Sequence, residues 1–63
     1  MTVRDLVSAM YDTQEVMIIA EKHYAEIYRY FASEIPPAML GETVYKVFPH
    51  LNGTDLELAI SIA

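Results

Sequence analysis

Two histidines, three serines and nine carboxylates are the side chains of this 63-residue sequence from which acid–base or nucleophilic chemistry could be built. His50 stands in "PHLNGTDLE". If Asn52 and Gly53 are the central residues of a type I′ turn, Leu51 faces Thr54 and His50 faces Asp55. Such a pair could hold an imidazole as a general base, although cross-strand polar pairs beside a turn are also ordinary sheet chemistry. His23 lies near Glu21 and Glu26, but no second histidine stands at ligand spacing, so a solvated turn residue is expected rather than a metal site. Ser8, Ser33 and Ser61 have no neighbouring base, and Gly41 and Gly53 stand alone, so neither a nucleophile nor a phosphate loop is indicated. The expectation is a protein without catalytic residues, metal or cofactor, and not an enzyme.

Composition narrows the classes further. There is no Cys, and nine acids against four bases give a formal charge of −5. That balance disfavours direct contact with nucleic acid phosphates and suits a partner protein with a basic surface. "MTVRDLVSAMYD" carries an acid early and "VMIIA" is short, so neither signal peptide nor membrane span is read, and a cytoplasmic location is expected. On that reading Asn-Gly-Thr is a turn rather than a glycan acceptor.

The elements that must position these residues follow from pattern. Thr2 and Asp5 have capping-box spacing, and Val3, Leu6, Val7 and Met10 recur on one helical face. "IPPAMLG" predicts a helical turn over Pro37–Leu40, with Gly41 at its end. Around the turn at Asn52, one face collects Thr43, Tyr45, Val47 and Pro49 with Leu56, Leu58, Ile60 and Ile62. The other collects Val44, Lys46, Phe48 and His50 with Asp55, Glu57, Ala59 and Ser61. The middle supports two readings. Helical periodicity favours one long helix over residues 13–33 followed by the last hairpin, whereas the clusters "VMII" and "YAEIYRYF" favour two strands turning near Lys22 to Tyr24. The fold class is α+β within one small domain over residues 1–63.

Taken together, "TVRDLVSAM", "EVMII", "YRYFASEIPPAML", "VYKVF" and "DLELAISI" resemble the short uncharacterised proteins encoded by phages and prophages of Firmicutes. The resemblance implies the order helix, strand, strand, helical turn, strand, strand, and it carries no agreed activity or site residues.

In the four-strand reading, one ten-residue helix covers one side of the sheet and leaves a Tyr- and Met-rich face, which either the loop at Ser33–Glu42 or a partner must cover. Tyr28, Tyr30, Met17 and Arg29 are the expected contacts, with Glu21, Glu26, Asp55 and Glu57 steering them to a basic surface. The expected function is a non-catalytic, acidic phage-type inhibitor or adaptor of a host protein in the host cytoplasm, of which an anti-CRISPR or other anti-defence factor is an example. A structural homo-oligomer or accessory subunit, pairing through the last strand as an open edge, is the alternative.

Overall fold

Thr2 closes the first helix as its spacing requires. The Thr2 hydroxyl accepts from the Asp5 N–H at 3.3 Å, and the Asp5 carboxylate accepts from the Thr2 N–H at 3.1 Å. These bonds, led by the one to the Thr2 backbone, hold the Asp5 carboxyl below its usual range. The computed structural model describes residues 1–63. Its helix α1 spans Val3–Val7 and ends earlier than the apolar spacing predicts, though Met10 still packs on the core.

The middle segment forms strands β1 (Glu15–Ala20) and β2 (Glu26–Phe31), joined by a 3-10 turn over Glu21–His23. The long-helix alternative is overturned, because Val16, Met17 and Ile18 are all buried. Three consecutive buried positions suit a strand paired on both flanks, with Val16 and Ile18 in the core and Met17 beneath Arg29 on the other face. The turn dispenses with Gly, Asn and Asp by placing Tyr24 and Ala25 at φ 58° and 55°. Each such residue costs about 1–2 kcal/mol, which the paired strands must offset. A 3-10 turn (Ala32–Glu34) and helix α2 (Pro37–Leu40) then lead into β3 (Val44–Asn52) and β4 (Asp55–Ile62).

The chain is thus α+β in the order helix, two strands, helical turn, two strands. The sheet order is β2-β1-β4-β3, with β1 and β4 parallel and both hairpins antiparallel. The last strand is therefore central rather than an open edge. Leu58 to Ile62 are buried or nearly so on both faces, which an edge position would not allow.

The hairpin register also differs from the expected one. Asn52 pairs with Asp55, so Gly53 and Thr54 are the turn residues, and His50 faces Glu57 instead of Asp55. Gly53 carries φ +66°, and no positive φ falls on Asn52. Gly first in a two-residue loop is the pattern of a type II′ turn, which outcompetes the expected Asn-Gly placement. The shift moves partners by two residues, so the two faces keep their membership up to Val47. Beyond it, a bulge between Val44 and Lys46 puts Val44 opposite Ile62, among the core residues, and leaves Tyr45 exposed.

The core is one-sided. Val16, Ile18, Ala20, Ile60 and Ile62 of the sheet pack against Val3 of α1 and Ala32 and Ile35 of the connecting segment. Burying aliphatic side chains of this size contributes about 1.5–3 kcal/mol each. Tyr28 and Tyr30, half-buried, pack on this cluster together with Met39 and Leu40. The cover does not reach the hairpin tip, where Leu51 and Leu56 remain 65% and 62% exposed on the same side.

Candidate functional site

No helix lies on the opposite side of the sheet. Strand alternation and register place Ile27, Arg29 and Phe31 of β2, Met17 and Ile19 of β1, Glu57, Ala59 and Ser61 of β4, and Phe48 and His50 of β3 on this open face. Ile27, Phe31 and Phe48 are 49%, 45% and 39% exposed. They are large apolar groups left in water on an otherwise ordered surface.

At the centre sits a carboxylate that is almost fully buried without a covering element. The Glu57 side chain is 4% exposed, and it is closed over by its neighbours. Arg29 reaches across β1 so that Nε lies 3.4 Å from Glu57 Oε2 and Nη2 lies 3.4 Å from Oε1. Arg29 Nη2 also lies 3.5 Å from Met17 Sδ. From the other side His50 Nδ1 approaches Glu57 Oε1 at 2.9 Å. A carboxylate only accepts, so Nδ1 carries the hydrogen, and the ring fixes Glu57 from β3 while Arg29 fixes it from β2. Strand periodicity gives the cluster its members: the three residues belong to adjacent rungs of one face.

This arrangement can hold charge and shape in place. It lacks the neighbours of a nucleophilic site: Ser61 is four residues along β4 from Glu57, about 13 Å at strand rise, and its hydroxyl donates to Glu21 Oε1 at 2.9 Å. No three His, Cys, Asp or Glu side chains converge as a metal site. A cleft of about 260 Å³ opens beside the cluster between the end of β2 and the hairpin, bordered by Arg29, Phe31, Glu34, Asn52 and Glu57.

The expected contact residues are only partly brought together. Met17, Arg29 and Glu57 meet on the open face, and Glu21 borders it through Ser61. Tyr28 and Tyr30 lie on the helix side, because Tyr28 pairs with Ile18 and Tyr30 with Val16. The expected Tyr- and Met-rich face is thereby corrected: one residue of strand alternation separates Tyr from Met, and the tyrosines pack against the core on the helix side. Glu26 accepts from the Tyr28 hydroxyl at 2.6 Å on that side, which holds the phenol above its usual range. Asp55 sits at the turn opposite Asn52, away from His50. His50 and Glu57 share the outer side of the last hairpin as the sequence reading sets them, while Ile27, Phe31 and Phe48 are the open-face apolar residues absent from the expected contacts; the alternation of "EIYRYF" and of "VYKVFPH" against "DLELAISI" is the signal that holds them. No helix is long and apolar enough to cross a membrane. No family model matches the chain, and no curated protein or solved structure is significantly similar to it.

Proposed function

We propose that the protein is a non-catalytic binding protein that applies its open sheet face to the basic surface of a partner protein, and so inhibits or adapts that partner. One observation carries the reading. Half-exposed Ile27, Phe31 and Phe48 surround a prearranged Arg29–Glu57–His50 cluster, so a partner meets apolar area whose polar centre is already ordered. Charge supplies the kind of partner. Nine acids face four bases, and one of those bases, Arg29, is committed to Glu57. The remaining field attracts a positively charged surface and opposes nucleic acid and anionic membrane. Likeness to short phage-encoded proteins makes inhibition of a host factor in the cytoplasm, including a defence factor of the CRISPR type, the specific form of this proposal.

The test is capture of a partner from bacterial lysate on immobilised protein at low and at high salt. Retention that weakens as salt rises is expected, since exposed charge pairs are screened over about 10 Å at 0.1 M ionic strength. Retention indifferent to salt contradicts a charge-steered contact.

A further inference from the structure

The two edges of the sheet are built differently. On β3, the outer edge is covered at its start and interrupted further along. The Val44 N–H donates to the Met1 carbonyl at 2.9 Å, and the Val3 N–H donates to the Glu42 carbonyl at 2.9 Å, so the segment before α1 covers its start. The bulge follows at Val44/Lys46. Because a hydrogen-bonded pair closes a two-residue loop, alternation from Asn52–Asp55 turns the main-chain groups of Pro49 outward. Proline has no N–H to offer there. Cover, bulge and proline are three devices that stop a further strand from pairing.

On β2 none of them is present. Its six residues, Glu26–Phe31, include no Pro, Gly or bulge. The Ala32 N–H donates to the Gln14 carbonyl at 2.9 Å, which makes Val16–Tyr30, Ile18–Tyr28 and Ala20–Glu26 the hydrogen-bonded pairs of the β1–β2 ladder. The main-chain groups of Ile27, Arg29 and Phe31 therefore point out of the sheet. The strand's one cation is folded back across the face onto Glu57 and no longer guards the edge.

We infer that the free edge of β2 pairs antiparallel with β2 of a second copy of this chain, about a twofold axis through Tyr28. A twofold perpendicular to the sheet keeps each face with itself, so only registers that pair residues of the same face are allowed. The axis at Tyr28 sets Ile27 against Arg29 of the other copy, each exchanging both main-chain hydrogen bonds. It also stacks Tyr28 on Tyr28 and sets Glu26 beside Tyr30. Moving the axis to Arg29 would set Ile27 against Phe31 and give up the Tyr28–Tyr28 contact, which disfavours that register. Ile27 against Arg29 and Tyr28 on Tyr28 make this edge complementary to itself, which selects a second copy as the occupant. The open faces of the two copies then lie on one side of a continuous sheet, and the pairing does not depend on the proposed partner.

Light scattering reports a mass twice the 7.2 kDa chain mass if this is right. The sequence has no Cys, so a single Tyr28→Cys substitution is a clean probe of register. Non-hydrogen-bonded partners lie about 4.5 Å apart at Cα, within disulfide reach. Cross-linking of Tyr28→Cys at least tenfold faster than of Tyr30→Cys is expected, and equal rates overturn the register. In the unsubstituted protein, amide exchange at Ile27 and Arg29 should be as slow as at Tyr28 and Tyr30 and should quicken on dilution. A monomer at millimolar concentration, or fast exchange at Ile27 and Arg29 there, overturns the inference, whatever the variants do.

Discussion

The helix side and the open side of the sheet bury their centres by different means. On the helix side Ile18 and Ile60 are fully buried under α1 and the segment that follows β2, by apolar packing alone. On the open side Glu57 reaches nearly the same burial with no element above it, because Arg29 and His50 lie down over it. The first arrangement spends apolar area on the fold. The second orders a polar centre and leaves Phe31 and Phe48 half in water, an allocation that serves contact better than stability.

The sharpest way to break this contrast is to truncate each centre. Ile18→Ala leaves a cavity that the covered side cannot refill, and a loss of about 3 kcal/mol is expected in urea denaturation. Because domains of this size are marginally stable, that loss should leave much of the population unfolded at room temperature. A shift below about 1 kcal/mol would mean that the core lies elsewhere. On the open side Arg29→Ala strands the Glu57 carboxylate with His50 alone and should cost about 1–2 kcal/mol, less than a fully buried pair because Arg29 is 46% exposed. Replacing both partners, Arg29→Met with Glu57→Leu, should recover most of that loss, and failure to recover would make the ion pair essential to the fold.

The smallest effect belongs to the rim of β2. The Glu26 carboxylate beside the Tyr28 hydroxyl disfavours the phenolate and raises its ionisation above the usual tyrosine range. A folded-state value above the unfolded one stabilises the fold at all pH below the unfolded value, and that contribution disappears as pH rises through the folded one. In an ultraviolet titration Tyr28 should ionise above the usual tyrosine range, and Glu26→Ala should remove the elevation. Its survival in that variant would assign the shift to another cause.

Much of this contrast could be read in the sequence, and the failures have physical causes. The Thr2–Asp5 box, the turn at Pro37–Leu40 and the face membership around the last hairpin follow from local chemistry and strict alternation. The choice between helix and hairpin for residues 13–33 does not. The turn there uses Tyr24 and Ala25 in left-handed conformations that neither residue favours, so no local signal marks it. Strand order was equally hidden, because β1 and β4 meet only through long-range pairing. The candidate site shows the cost of one register step. A turn placed at Asn52-Gly53 gave His50 the wrong carboxylate, and without the pairing of β2 to β1 nothing separated Tyr28 and Tyr30 from Met17.

The central claim is that the open face, not the helix side, meets the partner. Two double variants compare them directly: Phe31→Ser with Phe48→Ser on the open face, and Leu51→Ser with Leu56→Ser at the uncovered tip of the helix side. All four positions are exposed, so each double variant should stay folded, with a stability change of about 1 kcal/mol or less. Partner capture from lysate by the two folded variants is the deciding measurement. Capture should be lost with the phenylalanines and kept with the leucines; capture kept by Phe31→Ser with Phe48→Ser and lost with the leucines would place the contact on the helix side instead.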